Sequence, residues 1–415
     1  MKIDAQVRQK QIYINGFGGI KPCIPTDFNT LAAVASQSIS RKAFNYIAGG
    51  AGLETTIQTN LTAFERHKII PRMLQGNGSF SLDTTLFNSR YPYPIHLCPI
   101  GVLELAHKFG DLAIAEACKE TGLTMMVSNQ ASHPMEEIAK VLHGSPWMFQ
   151  LYVSKSDQLV ESFVKRAEQT GAQALVITLD TTLLGWRNRD LNDAYLPFLH
   201  GKGIAQYTSD PVFKKIAESN LEMTPSKPTL NSISNLIKAS INLPGSFKEN
   251  ISGKALKQIR TFTQIYSRAD LDWKAIDQIR SYTQIPVILK GILNPLDALL
   301  AKSKGIDAIY ISNHGGRQVD GGISSLECIE PVRKTVGPEI PILFDSGIRC
   351  GADIMKALAL GADSIGIGRP YVYALAVKGS HGVIELIQNM ISELELTLRL
   401  AGISNLKQLS KEILT

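Results

Sequence analysis

Eight short apolar runs, separated by segments with apolar residues at helical spacing, constrain the fold of this chain more than any other feature. They begin after residue 93, and each is short enough to be a fully buried strand. Eight strands that alternate with helices favour a single (β/α)₈ TIM barrel of the α/β class over an open doubly wound sheet. The predicted strands are residues 94–100, 123–128, 147–153, 172–180, 286–292, 307–313, 341–345 and 363–368.

A recurring helix–strand junction supports this alternation. Three of the predicted strands follow a helical segment that ends near a glycine, at Gly171, Gly305 and Gly361. Glycine readily adopts the left-handed conformation that ends many helices. The same junction therefore recurs as expected for a repeated unit. Predicted helices of this kind are residues 111–121, 156–170, 295–304 and 352–360.

Two stretches fall outside the alternation. Residues 1–93 are predicted to form a helical N-terminal extension that packs on the barrel of residues 94–415, with 31–50 as its clearest helix. A long polar, irregular insertion, at about residues 190–255, follows the fourth barrel strand. Long insertions in compact domains are usually functional, and this one leaves the barrel at the end that carries active sites. We predict an active-site lid, with a mobile loop of no catalytic role as the alternative.

The composition argues against several classes of protein. The 43 Lys and Arg residues exceed the 37 Asp and Glu residues by a net charge of +6, but these charges are dispersed, so nucleic-acid binding is not expected. The five cysteines are widely spread and match neither a disulfide framework nor a metal site. The chain shows no apolar core of a signal peptide and no apolar stretch of membrane-spanning length. We expect a cytoplasmic protein without a bound metal.

The loop after the sixth predicted strand carries a reactive pair of side chains. His314 and Arg317 are three residues apart, and Gly315 and Gly316 between them let the backbone approach a bound molecule closely. Histidine can move a proton near neutral pH, and arginine can hold a carboxylate with two parallel hydrogen bonds. This loop indicates an enzyme that acts on a small organic acid.

The loops after the last two predicted strands indicate a phosphate site. Each contains glycine and an arginine, Arg349 in one and Arg369 in the other. Glycine-rich loops at these strands of a barrel commonly hold phosphate through backbone N–H groups. NAD is not expected, because no strand is followed by a Gly-x-Gly-x-x-Gly motif that opens a helix.

Taken in order, the motifs of this chain resemble those of the FMN-dependent α-hydroxy-acid oxidases and dehydrogenases, and within that family the lactate 2-monooxygenase and lactate oxidase type. The similarity runs from about residue 27 to residue 406. It is carried by residues 44–49, 99–101, 149–152, 178–180, 185–187, 289–291, 312–318, 345–349 and 368–370.

The resemblance implies FMN bound over the mouth of the barrel and a role for each matching residue. His314 would be the catalytic base, oriented by Asp180, with Tyr46 and Lys290 completing the catalytic set. A small 2-hydroxy acid would bind to Tyr46, Tyr152, Arg187 and Arg317. The residues implied to bind the cofactor are Ile100, Gly101, Ser128, Gln150, Thr178, Lys290, Ser312, Asp345, Ser346, Gly347, Arg349, Gly368 and Arg369.

The implied reaction is oxidation of an L-2-hydroxy acid, L-lactate, to the 2-oxo acid, with O₂ as the acceptor. Gly101 and the long insertion resemble the monooxygenases, which favours further oxidative decarboxylation to acetate and CO₂ over a plain oxidase. Relatives are commonly tetramers, so a homotetramer is implied. Three alternatives remain: a lactate dehydrogenase that uses quinone or another acceptor, a catalytically silent flavin-binding protein, and a phosphosugar-binding barrel without flavin.

Overall fold

The computed structural model describes residues 4–76, 80–220 and 230–415, and its centre is a closed parallel barrel. The strands within those residues are β1 (Thr84–Leu86), β2 (Ser89–Tyr91), β3 (Ile95–Leu97), β4 (Thr124–Ser128), β5 (Trp147–Leu151), β6 (Leu175–Thr178), β7 (Val287–Ile292), β8 (Ala308–Ile311), β9 (Ile342–Phe344) and β10 (Ser364–Ile367). Strands β3 to β10 pair in chain order, and β10 pairs with β3 to close the barrel. The predicted (β/α)₈ fold is confirmed, because each of the eight predicted runs contains one barrel strand.

The strand register places several polar side chains next to each other. Ser128 on β4 lies beside Gln150 on β5, and Thr178 on β6 lies beside Lys290 on β7. These residues stand at or near the carboxyl ends of their strands. Because all eight strands are parallel, these side chains meet at one mouth of the barrel.

Helices surround the barrel and begin and end where the local sequence supplies caps. Ser156 accepts a hydrogen bond from the Leu159 N–H, and Gly171, Gly305 and Gly361 follow helices with φ of 91°, 71° and 113°, as predicted. The α-helices are Ala5–Phe17, Phe28–Ser38, Arg41–Ala48, Thr55–Arg66, Gly110–Thr121, Met135–Leu142, Asp157–Gln169, Asn188–Asn192, Ala205–Ser209, Pro211–Ser219, Leu230–Asn242, Phe247–Glu249, Ala255–Ile265, Trp273–Ser281, Pro295–Ser303, Ser325–Val336, Gly351–Ala359 and Arg369–Leu400, the last interrupted at Lys378 and Gly379. Single turns of 3₁₀ or π type are Leu103–Leu105, Pro197–His200, Asn250–Lys254, Leu406–Gln408 and Lys411–Ile413.

The N-terminal extension differs from its prediction in two places. Residues 31–50 do not form one helix, because Ile39 is extended and Ser40 begins a new helix by accepting a hydrogen bond from the Ala43 N–H. The antiparallel hairpin of β1 and β2 was not predicted, and its turn residue Phe87 packs against the side chains that fill the barrel. Helices Ala5–Phe17 and Phe28–Ser38 pack on the long C-terminal helix. The division of the chain at residues 93 and 94 stays a prediction.

The predicted irregular character of the insertion after β6 is wrong for the residues that the structure describes. Helices form most of its described length, and residues 221–229 of the predicted lid lie outside the described residues. Aromatic side chains join the insertion to the helices around the barrel, with the Tyr207 ring 5.0 Å from Phe163 and 4.8 Å from Phe262 between centroids. The many Ser, Asn, Lys and Pro residues suggested an irregular segment, but buried apolar residues such as Phe198, Tyr207 and Phe213 anchor its helices.

Candidate active site

A cavity opens at the carboxyl ends of the barrel strands, and most of the predicted site residues line it. Three predicted residues lie behind the wall instead: Ser128, Asp180 and Ser312. Each is hydrogen-bonded to a lining side chain, so these residues support the wall, and the direct contact of Ser128 and Ser312 with a cofactor stays a prediction. The predicted residues on the wall are Tyr46, Ile100, Gly101, Gln150, Tyr152, Thr178, Arg187, Lys290, His314, Arg317, Asp345, Ser346, Gly347, Arg349, Gly368 and Arg369.

His314 and Asp180 form a hydrogen-bonded pair at the cavity. The imidazole Nδ1 lies 2.8 Å from Asp180 Oδ1, and the Thr181 hydroxyl donates to the same carboxylate oxygen over 2.8 Å. His314 has φ of 59°, and the two glycines after it also have positive φ, so this loop turns sharply at the base. Because Asp180 accepts a hydrogen bond from the Nδ1–H group, the proton stays on Nδ1, and Nε2 is free to accept a proton from a ligand.

Burial and charge act in opposite directions on this pair. Burial lowers the pKa of His314 below its ordinary value, and the neighbouring Asp180 carboxylate only partly offsets this effect. Burial would raise the pKa of Asp180, but His314 and Lys290 outweigh it, so the pKa of Asp180 is lowered. Asp180 is therefore ionised and His314 neutral near pH 7, as a base requires.

Two arginines from different loops meet on the wall near His314. Arg187 donates to the Arg317 carbonyl over 3.2 Å and to the Gln318 side-chain oxygen over 2.9 Å. Arg317 donates to the Gly49 carbonyl over 2.6 Å and lies over the Tyr46 ring. Burial, with the charge of Arg187 added, lowers the pKa of Arg317 to about 9. Both guanidinium groups lack a carboxylate partner among the described residues, which suits a site for the carboxylate of a ligand.

The two arginines after β9 and β10 are similarly buried and uncompensated. Arg349 donates to the Ile348 carbonyl over 2.8 Å, and Arg369 donates to three backbone carbonyls at 2.9 to 3.2 Å. Burial and the charge of Arg369 lower the pKa of Arg349 to about 10. Ser346 and Gly347 have φ of 87° and 97°, so the loop before Arg349 curves around the cavity. The predicted phosphate loops thus hold two cations without an anion.

Lys290 and Asp345 form a buried ion pair at the floor of the cavity. The ammonium lies 3.1 Å from Asp345 Oδ2 and donates to the Ser312 hydroxyl over 2.7 Å. The Ser312 hydroxyl in turn donates to Asp345 Oδ1 over 2.5 Å. Burial alone would lower the pKa of Lys290, but Asp345 and Asp180 outweigh it and raise that pKa. Lys290 therefore provides a fixed positive charge beneath the cavity.

Several polar atoms on the wall lack a partner among the described residues. Gln150 Nε2, Thr178 Oγ1 and Arg349 Nε are buried without a hydrogen bond. Such atoms are costly in an apolar interior, so they usually mark a place where another molecule binds. A ligand with a polar ring edge and an anionic group would satisfy all three.

Several residues on the cavity wall were not among the predicted site residues, including Phe198, Tyr266, Thr181 and Cys98. Phe198 and Tyr266 come from the insertion and its flanking helix, while Thr181 and Cys98 follow β6 and β3. Thr181 could have been found beside Asp180, but no local pattern marks the two aromatic residues, which reach the wall through long-range packing. Gly101 packs closely against Gln130, since a Cβ added at Gly101 would lie 2.9 Å from the Gln130 Cβ.

The chain is similar over most of its length to FMN-dependent enzymes that act on hydroxy acids. A family model described as FMN-dependent dehydrogenase matches residues 35–415. An L-lactate oxidase of Lysinibacillus sphaericus is 34% identical over 386 residues, which cover 93% of this chain and 91% of the relative. An FMN-dependent alpha-hydroxy acid dehydrogenase of Schizosaccharomyces pombe is 35% identical over 412 residues, covering 98% and 95% of the two chains.

Solved structures agree with these sequence matches. A mandelate oxidase with (S)-4-hydroxymandelic acid aligns with a TM-score of 0.77 at 29% identity, covering 94% of this chain and 98% of the other. In the part of the chain that the structure describes, no helix has the length and apolar character needed to cross a membrane.

Proposed function

Because the chain belongs to the FMN-dependent α-hydroxy-acid oxidoreductase family, we propose that it oxidises L-lactate with O₂ and releases acetate and CO₂ in preference to pyruvate and hydrogen peroxide. FMN is its cofactor, and FMN-dependent oxidation of 2-hydroxy acids is its reaction class. Lactate, O₂ and the decarboxylation outcome are the proposal.

The cavity fits FMN. The unpartnered atoms of Gln150 and Thr178 would pair with the polar edge of the ring, and Arg349 and Arg369 with the phosphate. Lys290 would place its charge near the ring edge that becomes negative on reduction, and Asp345 would hold the ribityl chain. Bound FMN supplies the chemistry the side chains lack, by taking two electrons from the substrate and passing them to O₂.

The substrate would be held by side chains that are already positively charged and deprotonated by a histidine that is already neutral. Arg187 and Arg317 would bind the carboxylate, with Tyr46 and Tyr152 donating hydrogen bonds to the substrate. His314 Nε2 would take one proton as two electrons leave the α-carbon, and Asp180 would stabilise the imidazolium that results. Whether that proton comes from the hydroxyl or from the α-carbon is open.

The decarboxylation outcome depends on retention of the first products. Oxidation of lactate by O₂ yields pyruvate and hydrogen peroxide, which together give acetate, CO₂ and water if neither leaves. The insertion and the helix that follows it supply Phe198 and Tyr266 to the cavity wall, which also contains Gly101 packed closely against Gln130. Opening of such a wall governs release.

The observation that carries the proposal is the set of four guanidinium groups that face one cavity and have no carboxylate partner among the described residues, next to a neutral histidine oriented by an ionised aspartate. Two anionic groups, a phosphate and a carboxylate, would compensate them. A silent flavin-binding protein would need only the phosphate pair.

Product analysis during turnover of L-lactate in air tests the proposal. Acetate and CO₂ with little free peroxide would support it, and pyruvate with an equal amount of peroxide would replace the monooxygenase with an oxidase. Reduction of the flavin without reoxidation by air would favour a dehydrogenase with another acceptor. A flavin that stays oxidised with lactate, mandelate and glycolate would favour the silent protein, and a protein that takes up no FMN would favour the phosphosugar-binding barrel. The homotetramer and the cytoplasmic location stay predictions.

A further inference from the structure

The interior of the barrel holds a hydrogen-bonded chain that the proposed reaction does not use. His96 on β3 and Tyr310 on β8 are fully enclosed, and the imidazole Nε2 lies 2.7 Å from the tyrosine hydroxyl. The other ring nitrogen lies 2.8 Å from the Ser364 hydroxyl. On its far side the tyrosine hydroxyl is 3.6 Å from Cys98 Sγ, which lines the cavity.

This hydrogen-bonded chain of side chains is unusual for the interior of a barrel. The side chains around it inside the barrel are apolar, namely Met126, Met148, Val176, Ile288 and Leu343. Branched apolar residues usually fill this space, and polar groups here are costly unless every one is paired. Burial lowers the pKa of His96 to about 3, so the imidazole is neutral. Its two nitrogens, one donor and one acceptor, both have hydroxyl partners, so the chain is complete.

The hydrogen-bonded chain from Ser364 to Cys98 ends next to the Lys290–Asp345 ion pair. The Lys290 ammonium lies 5.0 Å from the centroid of the Tyr310 ring, within the range of a cation–π contact. Cys98 donates to Asp345 Oδ2, the oxygen that pairs with Lys290, over 3.7 Å. The backbone makes room for this arrangement: a Cβ at Gly366 would overlap the Tyr310 hydroxyl and lie 2.6 Å from Cys98 Sγ and 2.8 Å from His96 Nε2.

We propose that Tyr310, held in place by His96, is a positioning residue that fixes the Lys290 ammonium at the floor of the cavity. The fixed charge would stabilise negatively charged forms of bound FMN, such as its adduct with sulfite. Lysine has a long flexible stem, so its charge acts at one point only if it is supported. Asp345 and Ser312 hold the ammonium on one side, and the face of the Tyr310 ring holds it on the other. The inference rests on the placement of FMN beside Lys290 in the proposed function.

Affinity for sulfite provides a readout that does not require turnover. Sulfite adds reversibly to oxidised flavin and leaves it negatively charged, so its dissociation constant reports positive charge held near the ring. A tenfold change in a dissociation constant corresponds to about 1.4 kcal/mol, which lies within the range of a cation–π contact. Tyr310→Leu removes the ring, so the sulfite dissociation constant of the holoenzyme should rise about tenfold.

Two further variants separate positioning from packing. Tyr310→Phe keeps the ring but removes the hydroxyl that anchors it, so the sulfite constant should rise by about threefold, and the unpaired imidazole should lower the melting temperature. The double variant His96→Leu with Tyr310→Phe removes both polar partners. It should recover part of the melting temperature, because the buried imidazole is gone and only the Ser364 hydroxyl loses its partner in the hydrogen-bonded chain, while the sulfite constant stays raised.

The matched controls are Ile288→Val, which trims an apolar side chain packed beside Tyr310 and removes no polar group, and Lys290→Met, which removes the charge itself. Ile288→Val should leave the sulfite constant within about twofold of the parent, since the Tyr310 ring and its hydrogen bonds are kept. If Lys290→Met weakens sulfite binding but the Tyr310 variants and the double variant match Ile288→Val, the positioning role is wrong. If Lys290→Met has no effect, the placement of Lys290 in the proposed function is wrong as well.

Discussion

The loop after β8 and the insertion after β6 both reach the cavity, but they are held there in different ways. In the loop, Asn313 and Asn60 exchange side-chain hydrogen bonds of 2.9 and 2.7 Å, and Asp320 accepts hydrogen bonds from residues 53–56. The insertion relies on stacked and edge-on aromatic rings, with Phe198 5.1 Å from Phe262 and Phe262 5.0 Å from Tyr266 between centroids.

This difference separates chemistry from selectivity. Hydrogen bonds fix direction, so the loop can hold His314 and Arg317 at the distances that proton transfer and ion pairing need. Aromatic packing fixes volume more than direction, so Phe198 and Tyr266 can set the shape of the substrate space without taking part in proton transfer. Substitutions in the loop should therefore affect rate, and substitutions in the insertion should affect the choice of substrate.

The largest effect is expected for His314→Ala. Loss of the only base on the loop should slow anaerobic reduction of the flavin by L-lactate on the order of 10⁴-fold, the upper range for general base catalysis. Bound FMN should be retained, because the phosphate and ring contacts come from other residues. Stopped-flow reduction at matched flavin content measures this, and a rate close to that of the parent enzyme would rule out His314 as the base.

Arg317→Ala should have the next largest effect. Loss of one partner of a buried charge pair costs about 2–5 kcal/mol, and this should appear mainly as weaker binding of lactate and of its unreactive analogue oxamate. Arg189→Ala is the matched control, since Arg189 pairs with Glu54 over 2.6 Å and does not line the cavity. Equal effects of the two variants on oxamate binding would contradict the carboxylate clamp.

A smaller change, in selectivity, is expected for Phe198→Leu. Enlarging an apolar pocket by a few carbon atoms shifts relative kcat/KM by roughly tenfold, so the ratio for L-mandelate over L-lactate should increase by about that factor. Leu199→Ala is the control, because Leu199 is exposed and lies outside the cavity wall. If Phe198→Leu changed the rate of flavin reduction for both acids equally, the division between loop and insertion would fail.

The smallest effect concerns pH. Because the pKa of His314 is lowered, its imidazole is already neutral at pH values above the ordinary pKa of histidine. The kcat/KM should therefore change by less than about twofold between pH 8 and pH 7. As pH falls through the lowered pKa, protonation should remove the base and decrease kcat/KM about tenfold per unit. Asp180→Asn should move this inflection to lower pH, since Asp180 favours the imidazolium. An inflection above pH 7 would contradict the neutral, buried base.

The parts of the site that the sequence predicted well share one property. Gln150, Lys290, Asp345 and His314 lie near or just beyond the carboxyl ends of barrel strands, and in a parallel barrel all of these ends meet at the same mouth. The parts it missed, Phe198 and Tyr266, reach the cavity by packing against residues far away in the chain. Ser128 and Ser312, predicted to bind the cofactor, lie behind the wall, and their direct contact with the cofactor stays a prediction.

The sequence by itself determined the closed barrel, the polar residues at its mouth and the family to which the chain belongs, because strand and helix periodicity and short motifs are local properties of the chain. Only the tertiary structure decided that four guanidinium groups face one cavity with no carboxylate partner in the described part of the chain, that the insertion is largely helical in that part, and that the Lys290 ammonium lies over the Tyr310 ring. Each of these depends on distances between residues far apart in sequence, and such distances are set by packing of the whole molecule rather than by any local pattern.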